Sequence, residues 1–131
     1  MKFKISKPAI IGLSLATILI VGTVLYIFLW SGPGKYDSFA TCIKESGTKM
    51  YGTYWCPHCK SQKKLFGKSF QFIPYIECSL PNAAGQTEAC KIAGIQSYPT
   101  WEFAEGKRVE GALTLNQLSS YTNCTIGVTV S

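Results

Sequence analysis

"KMYGTYWCPHCKSQKKLFG", residues 49–67, changes its period halfway along. As far as Trp55 it alternates like a strand, and its Tyr and Trp residues favour an extended backbone. From Pro57 onward the pattern is helical: Lys60, Lys63, Lys64 and Lys68 make a polar face opposite Leu65 and Phe66. Pro57 suits a first helical turn, where its missing N–H costs nothing. Cys56 then starts the helix, and Cys59 lies one turn later on a neighbouring face. A strand leading directly into a helix whose first turn carries C-x-x-C points to a thioredoxin-like α/β domain.

Such a pair can hold a metal, staple a fold or exchange disulfides. Four-ligand zinc sites usually show a second Cys or His pair at comparable spacing. Cys78 and Cys90 lie far apart, and the only histidine, His58, sits inside the first pair. No metal is therefore expected. A purely structural bridge is disfavoured because so short a loop removes little chain entropy. Exchange chemistry suits the position, since first-turn N–H groups and the helix dipole stabilise negative charge at Cys56. The thiolate is the nucleophile, and Cys59 is placed to attack a mixed disulfide and release the partner. Tyr54 and Trp55 would wall the site.

The chain has 131 residues, enough for one domain. Its start reads differently from the rest. Lys2, Lys4 and Lys7 precede an uncharged run whose centre, "AIIGLSLATILIVGTVLYIFLW" (residues 9–30), would span about 33 Å as a helix. A bilayer core is about 30 Å thick, so the run is expected to be a transmembrane signal anchor. Tyr26 and Trp30 near its far end suit the interface. A core helix would show a polar stripe, and a cleaved signal would be shorter and end in an A-x-A-like site, which "LWSGPG" lacks. The expected organisation is a cytoplasmic N-terminus at 1–7, a membrane helix at 8–30, a linker at 31–35 and an exported domain at 36–131. The basic N-terminal flank places that domain outside the cytoplasm, in a periplasm, at the cell exterior or in a thylakoid lumen. The formal charge is +6, but three of the thirteen basic residues belong to the flank. What remains is ordinary for a soluble domain and argues for no nucleic-acid partner.

All six cysteines lie in the exported part, and an even count there favours disulfides. Outward from the C-x-x-C, "DSFATCIKES" (37–46) reads as a helix stopped by Gly47. "QFIPYIEC" (71–78) reads as a strand, "SLPNAAGQ" (79–86) as a loop and "TEACKIAG" (87–94) as a short helix. "IQSYPTWEFAEGKRVEGAL" (95–113) reads as two strands around a tight turn at Glu105 and Gly106. "TLNQLSSYT" (114–122) reads as a last helix, with Thr114 as its N-cap.

"YGTYWCPHCKSQKKLFG", "PYIECS" and "SYPTWEF" resemble the thioredoxin-like domains found with bacterial and plant vitamin K epoxide reductase homologues. The C-P-H-C tetrapeptide is also that of DsbA-type oxidants, but the chain between Cys59 and Pro99 is too short for their helical insertion. The fold implied is therefore a minimal thioredoxin-like one. The resemblance implies Cys56 and Cys59 as the redox pair, with Trp55 flanking it. It also implies a cis Pro99 facing the pair, beside which the Tyr98 backbone can pair with an extended substrate. The family domain occurs fused to a quinone-reducing membrane protein or as a separate anchored partner. This chain lacks the membrane bundle, so a vitamin K epoxide reductase-like partner would reoxidise it. Quinone would act only through that partner, and the domain itself needs no cofactor beyond its disulfide. Clients would be exported proteins with free thiols.

Six cysteines allow fifteen connectivities. Cys78 and Cys90 could close the loop between them, and Cys42 could reach Cys124 because the terminal helices of a thioredoxin fold can approach. Cys78–Cys90 could alternatively relay electrons, if that bond is strained and solvent-facing. Direction rests on Pro57 and His58. DsbA and thioredoxin potentials differ by about 150 mV, roughly 7 kcal/mol for two electrons. His58 is the residue positioned to stabilise the Cys56 thiolate, which favours an oxidant. A reductant or isomerase fed from the membrane, and a tethered binding module with purely structural disulfides, remain as alternatives.

Overall fold

Strand β1 (Lys49–Gly52) organises the domain, and helix α3 (Pro57–Phe66) leaves from its end. A computed structural model describes residues 7–30 and 32–127. The chain divides into two units, Met1–Gly32 and Pro33–Ser131.

The first unit contains helix α1 (Lys7–Trp30). Its side chains are described from residue 14 to 27, and over those residues the large apolar ones, including Leu15, Ile18, Leu19, Val24 and Ile27, are exposed. Among the described residues no helix is long and apolar enough to cross a membrane. The expected cationic flank at Lys2 and Lys4 lies outside the described residues.

In the second unit α2 (Asp37–Glu45) precedes β1 and α3. There follow β2 (Tyr75–Glu77), α4 (Glu88–Ile92), β3 (Thr100–Glu102), β4 (Arg108–Glu110) and α5 (Leu115–Thr122). The sheet order is β2-β1-β3-β4. β1 runs parallel to β2 (Tyr51 opposite Ile76) and antiparallel to β3 (Met50 opposite Trp101), and β3 and β4 form a hairpin. This mixed α/β architecture with a four-stranded sheet fits a thioredoxin-like fold.

Successive strand residues point to opposite faces, and β1 shows it. Met50 joins Trp101 in a core with Phe39 and Ile43 of α2, Phe66 of α3 and Leu118 of α5. Its neighbour Tyr51 belongs to a second cluster with Cys78, Ile95 and Cys90 of α4. Two disulfides tie the periphery. Cys42–Cys124 joins α2 to the segment after α5, across a sequence separation of 82, and Cys78–Cys90 closes a separation of 12. In the chain-entropy treatment these contribute about 4.5 and about 3 kcal/mol.

Several sequence expectations change in detail. The strand expected at 71–78 starts only at Tyr75, because residues Gly67–Phe72 form a 3-10 helix. Phe70 explains the difference: its ring packs on Phe66 and Tyr75, with centroids 6.3 and 5.8 Å away, so this segment is used to cover α3. Pairing with β1 resumes where Met50 N–H donates to Pro74 O (2.8 Å). Leu65, expected to share the apolar face with Phe66, is 41% exposed while Phe66 is buried. The lysine face is not simply solvated either, since Lys63 Nζ lies 3.5 Å from the Tyr75 ring centroid. The hairpin turn does fall at Glu105 and Gly106, with φ of 66° and 78°. Thr114 caps α5 and accepts from Gln117 N–H, while Gln117 Oε1 accepts from Thr114 N–H, a reciprocal box.

Gln62, on α3, is a polar residue buried in the domain. Its Nε2 donates to Leu113 O (3.0 Å) and its Oε1 accepts from Leu113 N–H (2.7 Å). This pair of bonds fixes the active-site helix to the segment leading into α5. Gln62→Leu should leave both Leu113 groups buried and unpaired and cost about 2–3 kcal/mol. Urea unfolding of the full-length chain measures this, and a loss below a few tenths would show that the clamp is dispensable.

Candidate functional site

Cys56 occupies the N-cap of α3 with an extended backbone (φ −68°, ψ 123°), and Pro57 is the first helical residue. Its N–H donates to Thr53 O (3.3 Å) and its carbonyl accepts from Lys60 N–H (3.1 Å), so the sulfur is held where the strand becomes the helix. The Cys56 thiol donates to Tyr98 O at 3.6 Å. The Tyr98–Pro99 peptide is cis, and Pro99 is buried. The geometry thus brings Cys56, Cys59, Tyr98 and Pro99 together. Cys56 and Cys59 are the free cysteines, while the other four are bridged.

The two sulfurs differ in surroundings. Cys59 has no exposed surface. Burial pushes its thiol up to about 12, and the neighbouring Cys56 sulfur adds to that, against partial relief from the Thr53 N–H. A Cβ built on Gly52 would lie 2.9 Å from Cys59 Sγ and 3.0 Å from Tyr75 Cε2. The absence of a side chain there is what lets β1 approach the second sulfur. Beside it, Tyr75 Oη donates to Glu77 Oε2 (2.8 Å), and burial followed by this bond raises the phenol above its ordinary range. Glu77 Oε1 in turn accepts from Ser79 N–H (2.9 Å) and Tyr54 N–H (3.2 Å), fixing the strand ends on either side of the site.

Trp55 is half-exposed and its Nε1 donates to Ser79 Oγ (2.9 Å). Its ring meets that of Tyr98 edge-on, with centroids 6.3 Å apart. Tyr98 Oη accepts from Gln86 Nε2 (2.7 Å), which also donates to Ile95 O (2.8 Å). His58 stands exposed on the first turn, with no hydrogen bond from its ring to Cys56. Cys78 and Cys90 are both without exposed surface, so their bond is not the solvent-facing one that a relay requires. No group of three or more potential metal ligands occurs among the described residues.

Sequence reading missed Gly52, Tyr75, Glu77, Ser79 and Gln86. Gly52 left a signal, a glycine inside a strand, which marks close approach of another group. The others carry no motif, because their roles arise only once β2 and the following loop are placed beside β1.

No protein-family model matches the chain. It is 34% identical over 89 residues to the thiol-disulfide oxidoreductase LTO1 of Arabidopsis thaliana. The match covers 65% of this chain and 23% of that protein, so the chain spans about a quarter of the curated relative's length.

Two outcomes follow for the reduced protein. A cysteine whose folded pKa is raised supplies stability that is present below the unfolded value, here 9.0, and is lost as pH rises toward about 12. Reduced protein should therefore lose stability over that interval, and protein with Cys56 and Cys59 joined should lose less. Parallel pH-dependent urea titrations would show it, and identical curves would refute the assignment. Gly52→Ala should destabilise the domain and slow closure of the Cys56–Cys59 bond, read by quenched alkylation; an unchanged closure rate would contradict the packing argument.

Proposed function

We propose that this chain is a thiol–disulfide oxidoreductase whose Cys56–Cys59 pair accepts electrons from cysteine thiols of exported proteins. One observation carries the reading: the unbridged thiols are two sulfurs at the start of α3, both buried, the first 5% exposed and set against Tyr98 O, the second with no exposed surface. In the oxidised state a client thiolate attacks Cys56 Sγ, the Cys56–Cys59 bond breaks, and Cys59 leaves and takes up a proton. A second client thiolate then attacks the client sulfur of the mixed disulfide and displaces Cys56. The client gains a disulfide and the pair gains two electrons, with Cys59 protonated and Cys56 released as the thiolate. The helix N-terminus supports the negative charge that develops on Cys56 as it is displaced in the second step. Burial of Cys59 favours its protonated form once it has left.

The wider setting extends that proposal. The charge-free apolar run and the exposed apolar side chains of α1 support an N-terminal membrane anchor, with the domain outside the cytoplasm. The C-P-H-C tetrapeptide supports the oxidising direction, with Pro57 and His58 tuning the pair. Reoxidation would fall to a vitamin K epoxide reductase-like membrane protein that passes the electrons to quinone.

Replacing the resolving cysteine tests the reading. With Cys59→Ala, mixed disulfides on Cys56 should accumulate in cells and vanish in the additional presence of Cys56→Ala. Mass spectrometry of the adducts should identify exported proteins and a quinone-reducing membrane partner. Absence of any adduct, with activity untouched by Cys56→Ala, would instead indicate a tethered module with structural disulfides. Adducts confined to isomerisation or reductive partners would reverse the direction.

A further inference from the structure

A small cavity of about 130 Å³ is walled by Thr53, Trp55, Ser79, Ala83, Gln86 and Tyr98. Three of these residues are tied to the reactive centre. Thr53 O accepts from Cys56 N–H, Tyr98 O accepts from the Cys56 thiol, and Trp55 precedes Cys56 in the chain. The opposite wall is the loop of residues 79–87. An isolated bridge between Ser79 and Gln86 and the Cys78–Cys90 bond at its base hold that loop in place.

The lining contains an unanswered polar atom. Thr53 is 1% exposed, and its Oγ1 has no hydrogen-bond partner. Nearly all buried hydroxyls in folded proteins are paired, and leaving one unpaired costs free energy. Two neighbouring polar atoms of the wall are already engaged. Ser79 Oγ accepts from Trp55 Nε1 and donates to Leu80 O, and Gln86 Nε2 donates to Ile95 O and Tyr98 Oη. Tyr98 Oη accepts that bond and retains its own proton to donate. The lining residues therefore carry one unpaired hydroxyl and one phenolic proton, together with an indole and a methyl group.

Resting on the thiol-exchange reading above, we propose that this cavity is a specificity subsite for a small, neutral, hydrogen-bonding side chain of the client: serine, threonine or asparagine. In an extended client lying along Tyr98, side chains two positions apart point the same way. The residue received is therefore the one two positions from the cysteine joined to Cys56. The size admits a side chain of this class. A charged side chain is disfavoured because no cavity wall supplies a counter-charge, and an unpaired buried charge is costly. An alanine or valine would fit but leave Thr53 Oγ1 unpaired.

The test uses the full-length Cys59→Ser chain, reduced, with short peptides whose single cysteine is joined to 5-thio-2-nitrobenzoate. The Cys56 thiolate attacks the peptide sulfur, the peptide disulfide breaks, and the aromatic thiolate leaves and is followed by its absorbance. Peptides with serine, threonine or asparagine two positions from cysteine should react about five- to tenfold faster than those with alanine or valine, the range set by one hydrogen bond. In the Thr53→Val variant, which keeps shape but not the hydroxyl, that ratio should fall to about one. Ala83→Met, which fills the cavity from its outer wall, should slow threonine and asparagine peptides while sparing a glycine peptide, and it serves if Thr53→Val does not fold. Equal rates for all peptides, or a ratio that survives Thr53→Val, would overturn the subsite and show that the cavity holds water only. If no peptide reacts faster with the protein than with free cysteine, the exchange reading itself fails, a result distinct from loss of preference.

Discussion

Strand β1 is paired on both edges, parallel to β2 and antiparallel to β3, and the thiol site depends on that double pairing. Because β1 lies between them, the end of β2 and the start of β3 converge where β1 hands over to α3. Cys56 sits at that handover, Tyr98 and Pro99 come from the β3 side, and Tyr75 and Glu77 come from the β2 side. Gly52 is the closest point, where backbone, Cys59 sulfur and Tyr75 ring meet without room for a methyl group. Displacing any of the three strands would separate groups that come from three distant parts of the chain.

The same arrangement divides the labour between the two sulfurs. Cys56 lies at the helix terminus with its thiol against a carbonyl, whereas Cys59 is enclosed and held by its surroundings in the protonated form. An exchange centre needs this asymmetry: one sulfur reached by the partner and another that closes or releases the bond internally. The four remaining cysteines are spent on stapling the termini of the domain and the loop that flanks Trp55. That loop gives the site a wall, and burial of Cys78 and Cys90 sets it apart from the reactive pair.

Much of the fold was legible because its elements carry local signals. The alternation before Trp55, Pro57 at a first turn and the turn residues Glu105 and Gly106 each locate an element without tertiary information. Thr114 carries more local signal than its N-cap role alone, because Thr-x-x-Gln to Gln117 is the pattern of the reciprocal capping box that forms there. The failures share a cause. The 3-10 helix at Gly67–Phe72 forms because Phe70 packs on Phe66 and Tyr75, a contact that sequence period cannot register. Lys63 looked like one more solvated lysine until the Tyr75 ring was placed beneath it. Thr53 and Gln86 are unremarkable in sequence and become informative only through a cavity made by three separate segments.

The central claim is that one pair of the six cysteines exchanges and the other two bonds are structural. Equilibrating the full-length chain across a series of glutathione redox buffers, quenching with an alkylating reagent and mapping every cysteine by mass spectrometry tests it directly. The account predicts that Cys56 and Cys59 open and close together, while Cys42–Cys124 and Cys78–Cys90 stay joined throughout. Opening of Cys78–Cys90 within the same range, or failure of Cys56 and Cys59 to form a bond under any buffer, would contradict it.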